Sequence, residues 1–206
     1  MVASVNFCGR NQTPSEAIPK EFEGKRYSIS LHENVLDIEE GGDAIFFAAS
    51  AVPTDAVAIG MTAVAMPQII LPDGSASYVV IRRSEKLSTF PGMLSFPGGF
   101  MDKWGDQFYG TAMRELEEET GSWCTHMCWS DIRNTAIIDS VPRPDRHNIT
   151  VIVNMKTTTS FTPEELQSVF IPQPGEVSSV HLMNMEEMKA RAAEFTPGIA
   201  KFLRAF

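Results

Sequence analysis

Glu115, Glu117, Glu118 and Glu119 stand within five residues of one another, shortly after the doublet Gly98-Gly99, in the stretch "FPGGFMDKWGDQFYGTAMRELEEETG". Helix formers over residues 107 to 120 make this a helix, with Asp106 at its N-cap or in its first turn and Gly121 as its C-terminal cap. At about 100° per residue, Glu115, Glu118 and Glu119 fall within one arc of about 100°, and Glu117 points nearly opposite. Tyr109, Met113 and Leu116 form an apolar stripe beside that arc, so the carboxylates border the face that packs. Like charges one turn apart cost an isolated helix about 0.2–0.5 kcal/mol per pair. Such a helix is either a solvated acidic face or a cation site. Arg114 inside the run, and a glycine turn that lets main-chain carbonyls approach, favour the cation site. Carboxylate and carbonyl oxygens are ligands for hard divalent ions such as Mg2+ or Mn2+.

The flanking sequence predicts strands mixed with helices, hence a layered α/β or α+β fold. "DAVAIGMTAVAMPQII" and "SASYVVIRRS" flank the turn signal "LPDGS" and read as a hairpin. "TAIIDSV" and "NITVIVNMKT" read as strands on either side of "PRPDRH", and "EVSSVHLMNM" as another. "TPEELQSVF" opens with Thr162, Pro163 at the first helical position and Glu165 three residues after the cap, which is a helix start. "TPGIAKFLRAF" is a closing helix, serving as a packing element or a homodimer contact. Residues 1–50 carry only weak strand signals and form an N-terminal extension packed on a domain spanning 51–206.

With 206 residues the chain can bury one sizeable core. A net charge of −9 argues against a general nucleic-acid binder, although bound cations let an acidic site accept nucleotides. Three cysteines imply no disulfide framework, and no basic segment precedes an apolar run at the start. The longest apolar stretch, "AVAIGMTAVAM", stops at Pro67 and is too short for a membrane span. A cytoplasmic protein with a small-molecule partner and no membrane association is expected.

The stretch from Gly99 to Ser122 resembles the signature of the Nudix hydrolases. Arg114, Glu115, Leu116, Glu118, Glu119 and Gly121 match its second half, and seven residues separate Asp106 from Arg114, as the pattern asks. There are three departures. Asp106 stands where the family prefers glutamate, one extra residue lies between Gly99 and Asp106, and Ser122 replaces an aliphatic residue. The first two bear on the loop and leave the helix intact. The resemblance implies an α/β/α sandwich on a mixed β-sheet, with the signature as a loop–helix–loop. It implies that Glu115, Glu118 and Glu119 ligate Mg2+ or Mn2+, with a Gly98 carbonyl completing the shell and Arg114 and Asp106 as orienting partners. The implied reaction is metal-assisted hydrolysis of a nucleoside diphosphate linked to another group, with Glu118, Glu119 or Glu176 of "PQPGEVSS" as general base.

Fold and signature leave the substrate open. Arg82 and Arg83 end a strand and face opposite ways, so at most one of them, taken here as Arg83, meets the substrate. "DSVPRPDRHNITVIV" resembles the matching segment of relatives that cleave ADP-ribose or other dinucleotide pyrophosphates. Arg143 and Arg146 there are either phosphate or ribose contacts or members of a plain charged turn. With no long basic region to hold an RNA 5′ end, an ADP-ribose, NADH or nucleotide-sugar substrate is preferred over a nucleoside triphosphate. A non-catalytic nucleotide sensor is the alternative from a different class, and retention of all three carboxylates speaks against it. In "WCTHMCW", Cys124, His126 and Cys128 alternate, so a strand would put them on one face; buried small side chains explain them better than zinc.

Overall fold

The computed structural model describes residues 2–6, 24–32, 35–48, 58–101, 107–143 and 146–205. Among the described residues, eleven strands form one mixed sheet: β1 (Val2–Asn6), β2 (Arg26–His32), β3 (Val35–Glu40), β4 (Ala44–Ala48), β5 (Ala58–Ile70), β6 (Ala76–Arg83), β7 (Leu94–Ser95), β8 (Gly98–Phe100), β9 (Ser130–Arg143), β10 (Arg146–Thr158) and β11 (Val177–Met183). The main path runs β1-β3-β2-β4-β9-β10-β5-β6-β11, with β7 paired to β6 and β8 to β5. The β10–β5 and β4–β9 pairs are parallel and the others antiparallel. The described strands of the first 50 residues therefore continue the same sheet, with β4 lying against β9.

Alternation along the central strands sorts side chains onto two faces. Ala63, Ala65, Val79, Ile81, Val151 and Val153 pack toward the helix α1 (Phe108–Thr120). Val64, Met66, Val80 and Ile152 pack on the other face, with residues of α3 (Met185–Ala190) and α4 (Pro197–Ala205). Layers of helix on both faces make the fold an α/β sandwich of the expected kind. Both faces of β5 are covered, which accounts for an apolar run without alternation. Phe47 of β4 meets Phe202 of α4 edge to face at 6.0 Å, tying the sheet extension to the C-terminal helix.

Local signals explain most of the elements. Asp73 accepts from the Ser75 amide at 2.9 Å and its hydroxyl at 2.6 Å, closing the β5–β6 turn. The helix α2 (Pro163–Ser168) carries the complete capping box between Thr162 and Glu165. Three expectations need correction. Helix α1 begins at Phe108 with Gln107 as N-cap and no side-chain cap, and Asp106 lies outside the described residues. Tyr109, Met113 and Leu116 do pack on the core as expected, and Phe108, Ala112 and Glu119 join them on the inward side. Ser122–His126 is a 3₁₀ helix, so alternate residues do not share a face: Cys124 is buried, while His126 and Cys128 are exposed. The strand β11 stops at Met183, where Asn184 and Glu187 form a second capping box that starts α3.

Candidate active site

Two glycines in β8 bring that strand between β5 and α1. A Cβ on Gly98 would stand 2.6 Å from the Ala63 carbonyl oxygen and 2.7 Å from the Val64 Cα, so only glycine lets β8 lie this close to β5. A Cβ on Gly99 would stand 2.5 Å from the Glu115 carboxylate. That carboxylate occupies the space a side chain would fill. The Gly98 N–H donates to Glu119 Oε2 at 2.8 Å. Strand and helix thus hold Glu115 and Glu119 against successive residues of the glycine doublet.

Glu119 is only 3% exposed, on the packing face of α1. Burial pushes its carboxyl up to about 8; Glu115 and Glu176 push the same way, while the Gly98 hydrogen bond and Arg83 oppose them. Arg83 is itself held below its ordinary value by burial, with Glu119 and Glu176 acting in the other direction. Its Nε and Nη2 donate to the Thr89 carbonyl at 3.3 and 3.0 Å, which fixes the guanidinium beside the two carboxylates. Arg82, its neighbour on β6, turns away to the Gly92 carbonyl at 2.8 Å and to Glu194 at 3.1 Å.

Glu176 arrives through the loop between α2 and β11. That loop is bonded to the end of α1: the Ile171 amide donates to the Thr120 carbonyl at 2.9 Å and the Gln173 amide to the Glu119 carbonyl at 3.3 Å. The Ser84 amide in turn donates to the Glu176 carbonyl at 2.7 Å. These bonds satisfy carbonyls that a helix end leaves open and fasten the loop to helix and strand together.

Arg114 sits at the outer edge. Its Nη1 meets Glu115 Oε1 at 2.7 Å and Glu118 Oε2 at 3.2 Å, and its Nη2 donates to the Phe100 carbonyl at 3.1 Å. Partial burial works against its charge, and Glu115 and Glu118 more than compensate, raising its pKa. Glu118 is 47% exposed on its side chain and Glu117 is exposed.

The structure thus gathers Gly98, Glu115, Glu118, Glu119, Arg114, Arg83 and Glu176 around the junction of β8 with α1. Arg143 and Arg146 stand opposite each other where β9 meets β10, and Arg146 is in register with Ala58 of β5. Their side chains lie outside the described residues, as does Asp106. Among the described residues no group of three His, Cys, Asp or Glu side chains forms a ready cation cage, because Arg114 draws on Glu115 and Glu118 and the Gly98 amide on Glu119. The donor chemistry nevertheless fits a hard dication: a buried carboxyl, repelled by its acidic neighbours, at the end of a run of carboxylates. Sequence reasoning missed the Thr89 and Phe100 carbonyls that hold Arg83 and Arg114, since nothing marks a main-chain acceptor in a sequence.

The chain is similar to two curated proteins called m7GpppN-mRNA hydrolase NUDT17. The Xenopus laevis protein is 30% identical over 115 residues, covering 54% of this chain, and the Danio rerio protein 25% identical over 130 residues, covering 59%. The matches span 38% and 42% of those relatives, so the chain corresponds to under half of their length. The fold is shared with a NUDIX hydrolase from Alicyclobacillus acidocaldarius, at TM-score 0.53 and 15% identity over 73% of this chain and 93% of that one. It is shared also with the MutT protein of Methanosarcina mazei, at TM-score 0.52 and 16% identity over 71% and 91%. The NUDIX domain profile matches residues 61–206, more than half of the sequence, and the chain belongs to the Nudix family.

Proposed function

We propose that this chain is a divalent-metal-dependent pyrophosphohydrolase acting on a nucleoside diphosphate linked to another group. The observation that carries the reading is the junction of β8 and α1, where Glu115 and Glu119 abut the glycine doublet with Glu118 on the next turn. Glu115, Glu118 and Glu119, with the Gly98 carbonyl, are the groups that would hold Mg2+ or Mn2+. Such ions, when bound, neutralise a diphosphate and lower the pKa of a water. Arg114 holds Glu115 and Glu118 in place and ties them to β8. Arg83 supplies a half-buried positive charge near Glu119 and Glu176. The proton of the attacking water goes to one of Glu118, Glu119 and Glu176, and the hydrogen bonds that fasten the Glu176 loop to the end of α1 and to Ser84 support keeping it among them.

For the substrate, the arginines at the β9–β10 end support a dinucleotide-type compound such as ADP-ribose, NADH or a nucleotide sugar. The similarity to proteins named for hydrolysis of m7GpppN-mRNA supports a second reading, in which the group beyond the diphosphate is a capped RNA. The net charge of −9 weighs against it.

The test is chromatographic product analysis with and without Mg2+ or Mn2+ on ADP-ribose, NADH, a nucleotide sugar, dGTP and a short capped RNA. Metal-dependent AMP from ADP-ribose or NADH is the expected result. Release of the methylated guanine nucleotide from capped RNA would select the second reading, and pyrophosphate from dGTP would move the chain to triphosphate hydrolysis. No product from any of them, in either metal, would overturn the enzyme.

A further inference from the structure

On the sheet face opposite α1, the apolar cluster containing Val64 of β5 and Ile152 of β10 gives way, two residues earlier on each strand, to polar groups. Thr62 donates to the Thr150 hydroxyl at 2.7 Å, and before them Gly60 lies in register with Asn148. Phe100, the residue after the glycine doublet, pairs with Thr62. A Cβ on Gly60 would stand 2.6 Å from Phe100 Cε1 and 2.6 Å from Asn148 Oδ1, so the ring edge and the amide flank the same bare stretch of backbone. Phe100 is 40% exposed, beside a proposed phosphate site rather than in the core.

We infer that Phe100, seated over Gly60 beside Asn148, is the platform on which the base of the nucleotide substrate stacks. This deepens the proposed function and rests on it. Three observations join here. An aromatic side chain exposed at the surface takes any base by stacking. The Phe100 carbonyl accepts from Arg114, which also holds Glu115 and Glu118, so ring and carboxylates are fixed to one three-residue strand. Arg146 stands two positions before Asn148 on β10, at the same end of the sheet. A nucleotide with its diphosphate at Gly99 would therefore carry its base around β8 onto this face.

Binding of AMP, GMP and ribose 5-phosphate, which carry no anhydride to hydrolyse, isolates the base. Calorimetry in Mg2+, with the sugar phosphate measured by competition, should give at least one nucleotide about fivefold or more tighter than ribose 5-phosphate in the wild type. Phe100→Ala should reduce that ratio to below about twofold. Phe100→Leu, which keeps apolar packing over Gly60 without a π face, should do the same, and Phe100→Tyr should keep it; thermal melts confirm that the variants fold. A wild-type ratio near one, binding of neither class, or an unchanged ratio in Phe100→Leu would overturn the platform. The hydrolysis panel separates this from failure of the enzyme. Turnover with a ratio near one leaves the hydrolase and removes the platform. A large ratio without turnover leaves the platform on a nucleotide-binding protein.

Discussion

Replacing each glycine of the doublet by alanine separates packing from chemistry within two adjacent residues. Neither has a positive φ, so alanine is conformationally allowed at both. At Gly98 the added methyl meets the main chain of β5, at 2.6 Å from the Ala63 oxygen and 2.7 Å from the Val64 Cα. That backbone is paired on its other edge to β10 and cannot retreat cheaply. Overpacking of this kind costs about 1–3 kcal/mol, and contact with backbone puts Gly98→Ala near the upper end. For a protein of this size that lowers the melting temperature by roughly 6–12 °C. At Gly99 the three atoms nearest the methyl all belong to the Glu115 carboxylate, the end of a flexible side chain. Glu115 can swing aside, and the lost freedom of the unfolded chain returns about 0.4–1 kcal/mol, so Gly99→Ala should melt within a few degrees of wild type. Its carboxylate, however, is displaced by about 1 Å or more, a shift that costs about 10²-fold in a positioned catalyst. Calorimetric melts in chelator and kcat on the best substrate read the two effects. Wild-type melting of Gly98→Ala, or near-full activity of Gly99→Ala, would refute the reasoning for that residue.

Glu118→Gln should cut kcat by about 10²-fold or more while the metal-free melting temperature stays level or rises slightly, since relief of repulsion from Glu115 offsets the weakened, exposed pairing with Arg114; activity assays and calorimetry decide. Arg143→Ala and Arg146→Ala should raise KM for dinucleotide-type substrates more than for dGTP, and an equal effect on both would remove these arginines as readers. His181 is pressed below its ordinary pKa by burial first and then by Arg82 and Arg191, with Ser179 Oγ 2.7 Å from its Nε2. Its folded state prefers the neutral ring, so this stability is present above the unfolded value of about 6.5 and is lost as pH falls through the lower folded value. His181→Gln should therefore flatten the decline in denaturant midpoint between pH 7.5 and 5. Thr162→Ala removes one half of the capping box of α2 and should cost about 1 kcal/mol, read from urea unfolding.

Elements with a local cause were legible in the sequence. The β5–β6 hairpin announces itself in "LPDGS", and α2 in the spacing of Thr162, Pro163 and Glu165. Helix α3 was hidden because its cap, Asn184, follows β11 with no intervening turn residue. The 3₁₀ helix was hidden because alternating Cys124, His126 and Cys128 imitate a strand. The sheet order could not be read at all, since β5 finds β10 across 88 residues, as the Thr62–Thr150 bond shows. The site divides in the same way. The arc of Glu115, Glu118 and Glu119 follows from helical geometry, and alternation says that Arg82 and Arg83 face apart. Which of the two turns toward Glu119 depends on where the Thr89 and Gly92 carbonyls lie, and that is decided by the folded loop.

The parallel pairing of β5 with β10 also sets the order in which the molecule can be made. During synthesis from the N-terminus, β5, β8 and α1 emerge before residue 146, so the carboxylates and the glycine doublet exist before the strand that closes the other edge of β5. Until then β5 presents one unpaired edge and a long apolar run, a template for another nascent chain. Closing that edge demands a loop of more than 80 residues, which places this step among the slow ones of the fold. Slow translation between residues 120 and 146 would therefore lengthen the exposure of the very strand that later backs the active site.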